Sequence, residues 1–421
     1  MRASVAKALC EVPFLYHNSD TYTLGNRRRT SVLKSAAKIP RATCRLFGTI
    51  KALANIKDSV ILVHGPKGCV YHINYILGMR GDKTSNVYST CMDEKDVIFG
   101  AAEKLKSAIT ELDREFDPAL IAVLSCCASS IIGEDVESVV KDVPTNARLL
   151  GIDSGGFEGD YRSGYSETLR RLVEVLVETP RTRNKLSVNL IGLLRAGPDL
   201  KELKRVLELI GVRVNAVLTA GATVRQIERI ATASLNVVVC EATGKDAAEQ
   251  LEEQFGMPYL TEELPIGHQA TRRFLTHVAT ALGTGVDLDA VCPVQAPESA
   301  VAARQVAVIG GPTRAIAVTH FLKECGVEPA LIVSDFDVNT AARLSELVSE
   351  RCEVLVAPEH EIILERCKAQ HIDLIVGGML ERPIASRLGA EHLDIMHGSE
   401  KTVGFAGADA LLKRLRGDDE L

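Results

Sequence analysis

Residues 60–71, VILVHGPKGCVY, carry an apolar run into His-Gly-Pro-Lys-Gly and hold a cysteine just past the turn. A short run of Val, Ile and Leu bounded by Gly and Pro reads as a strand buried on both faces. A thiol held at such a strand end suits ligation or nucleophilic attack.

The same order of strand, Gly- or Ser-rich turn and helix recurs along the chain. ALIAVLSCCASSIIGEDVESVV (119–140) and ARLLGIDSGGFEG (147–159) repeat it. Between the opening stretch and the first of these, DVIFGAAEKLKSAITELDREF (96–116) spaces Leu105, Ala108, Ile109, Leu112 and Phe116 at helical intervals. Residues 40–185 read as one doubly wound unit after an extension, 1–39. KLSVNLIGLL opens a second unit, 186–300, whose last part is a Pro- and Ala-rich connection. QVAVIGGPTRAIAV opens a third, 301–421. The expected fold class is α/β: three successive Rossmann-like parallel-sheet units around a central cleft, with ligands at the carboxyl ends of strands.

Of the 421 residues, 46% are hydrophobic and only 4% aromatic, the diet of parallel sheets covered by helices. A net charge of −6 without a basic stripe argues against nucleic-acid binding. The short run LGNRRRTSVLK reads as a solvated loop. No stretch reaches the ~18 uncharged apolar residues of a membrane span. The first residues, with Lys7 and Glu11 inside their apolar stretch, make a poor signal peptide. The expectation is a cytoplasmic chain. In that compartment eleven cysteines point to metal or catalysis rather than to disulfides.

Three of them stand out. Cys69 and Cys127 closely follow apolar strands, and Cys44, in PRATCRLFG, lies just before the first strand. Strand ends on one sheet edge are spatial neighbours, so three thiolates there can grip an iron–sulfur cluster, with Gly65, Gly68, Ser125 and Ala128 leaving room for its sulfides. Spacing alone leaves a second reading open, three inert buried cysteines. There is no CxxC and no close Cys/His quartet for structural zinc.

Four ordered motifs, HGPKGC, STCMDEKDVIFGAAEKL, VLSCCASSIIGEDVE and GFEG, resemble component 1 of nitrogenase and its relatives. The likeness runs over about residues 40–415, through NVVVCEATGKDAAEQL to MHGSEKTVGFAG. It implies that Cys44, Cys69 and Cys127 are the ligands of an interfacial iron–sulfur cluster of the 4Fe-4S type. Cys126 rivals Cys127, but the IGED register favours the latter. Cys91 is a further thiol beside that site. In nitrogenase a metal–sulfur cofactor hangs from one Cys and one His, and the alignment places Cys240 and His397 on them. The paired His that follows GFEG in nitrogenase subunits is missing from DYRSGYSETL, so dinitrogen reduction is not expected.

The chain has no GxxxxGK[ST] loop. The family implies a separate ATP-hydrolysing iron–sulfur reductase that docks over the cluster and delivers single electrons. One branch, in methanogens, reduces Ni-sirohydrochlorin a,c-diamide, a nickel tetrapyrrole, as a homodimer. This chain is similar to it in compactness and in its MDE and HG motifs. Reduction of such a macrocycle is the first expectation. The second is a nitrogenase-like metallocluster enzyme or cofactor-assembly scaffold using Cys240 and His397. The third is a non-enzymatic cluster or porphinoid binder. Asp93, Glu94 and His397 are candidate proton sources, although Asp93 and Glu94 also suit a helix N-terminus. Arg80, Lys83 and Arg162 are candidates for pairing with macrocycle carboxylates. His64 reads as a satisfied turn residue. Three cysteines leave a cluster one ligand short, so a homodimer, or a pair with a homologous subunit, is expected, with the cysteines near the interface.

Overall fold

The computed structural model describes residues 43–81, 85–157, 159–291, 304–336, 338–397 and 400–417. The extension 1–39, Lys83 and most of the Pro- and Ala-rich connection lie outside the described residues.

The first sheet holds β1 (Ser59–His64), β2 (Val87–Ser89), β3 (Leu120–Ser125) and β4 (Arg148–Ile152) in the order β2-β1-β3-β4. Its helices are α1 (Arg45–Leu53), α2 (Lys67–Met79), α3 (Glu94–Phe99), α4 (Ala102–Phe116), α5 (Cys127–Ile131), α6 (Val136–Lys141) and α7 (Tyr161–Leu176). The second sheet, in the order β6-β5-β7-β8, is built from β5 (Ser187–Ile191), β6 (Arg213–Leu218), β7 (Leu235–Val238) and β8 (Tyr259–Thr261). With it come α8 (Pro198–Leu209), α9 (Val224–Glu228), α10 (Glu241–Phe255), α11 (His268–Ala281) and α12 (Leu288–Val291). The third sheet, β11-β10-β9-β12-β13, comprises β9 (Val306–Gly310), β10 (Leu331–Ser334), β11 (Glu353–Val356), β12 (Leu374–Gly377) and β13 (Glu391–Asp394). Its helices are α13 (Pro312–Glu324), α14 (Val338–Leu347), α15 (His360–Ala369), α16 (Arg382–Leu388) and α17 (Gly404–Arg416).

Every strand pairing named here is parallel. The α/β class and the three parallel-sheet units are therefore as expected. All residues of β1 and β3 are buried, which is why their sequences are continuous apolar runs rather than alternations. Helix α4 buries Leu105, Ala108, Ile109 and Leu112, the stripe read from its spacing. Phe116 departs from that stripe. It ends the helix, and Asp117 in the left-handed region (φ 43°) turns the chain away, leaving the ring half-exposed and tilted on Tyr88 at 5.2 Å.

In each sheet the strand order reverses at one place: between β1 and β3, β5 and β7, and β9 and β12. Loops leaving such a pair diverge and open a crevice at the carboxyl edge. One apolar cluster joins the first two units, through Leu53, Leu169, Leu218 and Leu251 among others. Another joins the second and third, through Leu203, Phe274, Phe321 and Leu411.

Helices α1 and α7 touch backbone to backbone. A Cβ on Gly48 would lie 2.0 Å from the Tyr161 carbonyl oxygen, and one on Gly164 would lie 2.1 Å from that of Arg45. Only glycine permits this approach. It brings Cys44, the residue that starts α1, into an antiparallel bridge with Asp160, and the Tyr161 N–H donates to Thr43 O at 3.0 Å. Gly48→Ala or Gly164→Ala should force the helices apart at a cost of about 1–3 kcal/mol. The expected reading is a lower urea midpoint with an unchanged m-value.

Candidate cluster rim and central cleft

Strands β1 and β3 end in register, His64 opposite Ser125, so the loops they release start side by side. The β1 loop delivers Cys69 in the first turn of α2. Cys126 starts α5 and Cys127 is its first residue. A third loop, Asp153–Gly156, is tied to the same edge. The Ser154 N–H donates to Ser125 Oγ at 2.8 Å, its hydroxyl donates to Ser125 O at 2.7 Å, and Asp153 accepts from the Ser125 and Ser130 hydroxyls. Gly156 then lies between two thiols. Its N–H donates to Cys127 Sγ at 3.2 Å, and a Cβ there would stand 3.0 Å from that sulfur and 3.2 Å from Cys44 Cβ.

Cys69 shares a hydrogen bond with Cys126 and senses Cys127 and Cys44 electrostatically; the bond, with burial, pushes the Cys69 thiol up. Cys126 accepts that bond and the N–H groups of Ser129 and Ala128, which pulls it down despite burial. Four thiols, Cys44, Cys69, Cys126 and Cys127, therefore gather at one rim. Cys126 is the inner one: it is wholly buried, and a Cβ on Gly65 would lie 2.2 Å from its sulfur. Cys91, on a left-handed backbone (φ 53°), donates its thiol to Ser89 O at 3.6 Å.

Among the described residues no three His, Cys, Asp or Glu converge as a single metal ion requires. A polynuclear cluster spreads its thiolates over separate irons and needs bare backbone for its sulfides. Cys44 and Cys127 on either side of Gly156, with Cys69 close enough to sense both and open space at Gly68, fit that group.

The second region is a cleft of about 410 Å³ where loops of all three sheets meet. Cys240, His397, Arg80 and Arg162 all line it, so the structure brings together the four cleft residues read from the sequence. Cys240 follows β7 and caps α10. It rests on Gly192, where a Cβ would lie 2.9 Å from its own; at φ +85° that glycine also holds a turn few other residues adopt. His397 follows β13, with its N–H donated to Asp394 Oδ1 at 2.8 Å and its Nδ1 accepting the Met379 N–H at 3.3 Å. Burial, then the Arg80 guanidinium, with Arg195 and Lys51 adding to them against Asp394, pushes His397 down to about 3. The imidazole is neutral.

Lys51 and Arg195 were not singled out in the sequence, yet both line the cleft. Lys51 is buried on α1. Arg195 donates to Met396 O at 2.7 Å, fixing the turn that carries His397. Its signal was the strand–glycine–turn text of IGLLRAG; a lysine seven residues past Cys44 on a helix gave none. Arg80 sits 5.4 Å from the Phe47 ring centre, and Arg162 Nε donates to Ala242 O at 3.1 Å, in the turn after Cys240.

Asp93 and Glu94 lie elsewhere. Asp93 Oδ1 accepts the N–H groups of Lys95 (2.9 Å) and Asp96 (3.2 Å), while its own N–H donates to Asp96. It caps α3, Glu94 is exposed in the first turn, and neither lines the cleft. The free N–H groups of a short helix need an acceptor, and these carboxylates meet that need rather than facing a substrate. His64 also differs from expectation: it is a fully buried strand-end residue with Nδ1 beside Thr90 and no hydrogen-bond partner for Nε2.

Among the described residues, several large apolar side chains are exposed in groups. Around the rim stand Ile98 (72% exposed), Phe99 (84%), Ile131 (70%) and Phe157 (75%). Along α2, starting next to Cys69, run Tyr71, Tyr75 and Met79 at intervals of four. No helix among the described residues is long and apolar enough to cross a membrane.

Residues 44–417 match the family described as nitrogenase component 1 type oxidoreductase. The chain is 28% identical over 420 residues to the nitrogenase iron-molybdenum cofactor biosynthesis protein NifE of Methanosarcina barkeri, covering 90% of this chain and 88% of that one. It is 23% identical over 410 residues to the nitrogenase molybdenum-iron protein beta chain of Methanococcus maripaludis, covering 86% and 87%. A solved structure, nitrogenase Cp1 at pH 6.5, shares the fold with a TM-score of 0.78 at 20% identity, over 94% of this chain and 95% of that one.

Asp93→Ala is expected to lower stability by about 1 kcal/mol through the lost cap. Thermal denaturation reads that loss, and metal analysis of the same protein should show no change at rim or cleft.

Proposed function

The chain belongs to the nitrogenase component 1 type oxidoreductases, and on that premise we propose that it carries an iron–sulfur cluster at its rim and an anionic metal–sulfur cofactor in its cleft. The observation that carries this reading is the placement of Cys240 and His397. They come from different sheets, line one cleft, and are attended there by Lys51, Arg80 and Arg195. A thiol and a neutral imidazole are donors for borderline-soft metals. The cations offset the negative charge that sulfide and thiolate bring. The likeness to NifE proteins supports a place in cofactor assembly.

At the rim, Cys44, Cys69 and Cys127 would hold the cluster, of the 4Fe-4S type, and the bare backbone of Gly156 would let it seat. When bound, the cluster supplies one-electron transfer. Cys126 stays in the core and hydrogen-bonds the Cys69 sulfur. The exposed residues Ile98, Phe99, Ile131 and Phe157 form the landing surface for a separate ATP-hydrolysing iron–sulfur reductase. The α2 stripe, continuous with Cys69, faces a second copy of this chain, which brings its own thiols to the shared edge.

A second reading is reduction of a nickel tetrapyrrole of the Ni-sirohydrochlorin a,c-diamide type. It is favoured by the apolar walls of the cleft, Leu193, Leu264, Phe336 and Ile395, flanked by Arg80 and Arg162, a lining suited to a flat carboxylated ring.

Anaerobic purification with metal analysis decides between them. The first reading expects about four iron atoms for a rim cubane, lost in Cys69→Ala, plus further metal lost in Cys240→Ala while rim iron stays. Rim iron alone, with tight nickel-tetrapyrrole binding unaffected by Cys240→Ala, moves the cleft to the second reading. Protein that retains no iron at all sinks both. Separately, Phe99→Ala should slow electron uptake from the reductase about tenfold at unchanged metal content, as removal of an exposed docking aromatic does.

A further inference from the structure

We propose that Glu134 is a positioning residue that couples α3, the proposed landing helix, to the cysteine rim through His64. The inference rests on the cluster reading above and adds a linkage to it.

Helix α3 has little hold on the protein. It buries none of its residues, and its last two, Ile98 and Phe99, are almost wholly in solvent. Where it ends, at Gly100 (φ +88°), the next N–H, that of Ala101, donates to Glu134 Oε1 at 2.6 Å. At the other end, the Lys104 ammonium binds Asp96 Oδ2 at 2.5 Å and Cys91 O at 3.0 Å. Glu134 is thus the tie between α3 and the turn that closes α5. Its own N–H donates to Ser129 O at 3.0 Å, two residues from Cys127.

The second Glu134 oxygen faces His64, with Oε2 3.8 Å from Nε2. That imidazole is fully buried, and Nε2 has no hydrogen-bond partner. The opposite nitrogen lies 3.1 Å from Thr90 Oγ1, which also accepts the Gly65 N–H at 3.1 Å. The tautomer that satisfies this arrangement has Thr90 giving its proton to Nδ1, so the ring hydrogen sits on Nε2 and points at the carboxylate. The pair stands just beyond hydrogen-bonding reach. A buried donor without an acceptor costs about 1–3 kcal/mol, so closing the gap is favourable. His64 begins the loop that ends in Cys69, and Glu134 ends the turn that follows Cys127. Drawing those two thiols together on a cluster closes the His64–Glu134 gap and tightens Glu134 on Ala101. Coupling is reciprocal, so pressure on Ile98 and Phe99 during docking bears on the rim through the same carboxylate.

Amide hydrogen exchange by mass spectrometry, on the anaerobic full chain with and without its cluster, tests this without any partner. Cluster loading is expected to slow exchange in residues 94–101 by at least about fivefold, the low end of ordinary coupling. In Glu134→Gln, which keeps shape but loses the charge, the slowing should vanish although iron is still bound. In Glu134→Asp, one methylene shorter, it should fall to an intermediate value. A merely structural Glu134 would raise exchange equally in both forms of the variant. Loading that leaves residues 94–101 unchanged, or that slows them equally in Glu134→Gln, overturns the coupling while leaving the cluster reading intact. Failure to take up iron overturns both.

Discussion

Parallel strands that lie side by side release their chains at the same edge. Where the strand order reverses, the released loops part and leave a crevice. That geometric constraint organises everything functional in this molecule. It sets His64 beside Ser125, so the loop ending in Cys69 and the turn holding Cys126 and Cys127 start as neighbours. It sets Gly192 beneath Cys240 at the reversal of the second sheet. Neither site would exist if one of these strands ran the other way.

Glycine makes the constraint usable. Gly48 and Gly164 let α1 press on α7, and the first residue before α1 is Cys44. Gly156 occupies the gap between Cys44 and Cys127, where any side chain would fill the space a ligand needs. Gly65 leaves room for the Cys126 sulfur. The glycines thus bring backbones close enough for far-apart cysteines to share one rim, and they keep that rim open.

Much of this was legible beforehand because it rests on strand-end position. A cysteine that closely follows a continuous apolar run must lie at the carboxyl edge, and Cys69, Cys127 and Cys240 do. The α4 stripe was legible for the same kind of reason, a fixed period of 3.6 residues. What escaped had no periodic or positional mark. Lys51 reads as a solvated helix residue until three dimensions place α1 under the cleft. Asp93 carries two compatible roles in its sequence, cap and acid, and only the 2.9 Å bond from Lys95 shows where its oxygens point. The partnerless Nε2 of His64 depends on a carboxylate 70 positions away, at a distance no spacing rule encodes.

The two sites are tuned in opposite ways by the same burial. At the cleft, burial and the neighbouring cations both disfavour an added proton on His397, so the imidazole stays neutral with one basic nitrogen. At the rim, the hydrogen bond the two thiols share, with burial, raises Cys69, while that same bond and the N–H groups that start α5 lower Cys126, so that thiol and thiolate character are divided between adjacent sulfurs. Cys69 would have to give up the proton it shares with Cys126 before its sulfur could serve as a ligand. A sulfur-rich rim and a cation-lined cleft thus stand on one apolar core, whose close packing lets neither shift without disturbing the other.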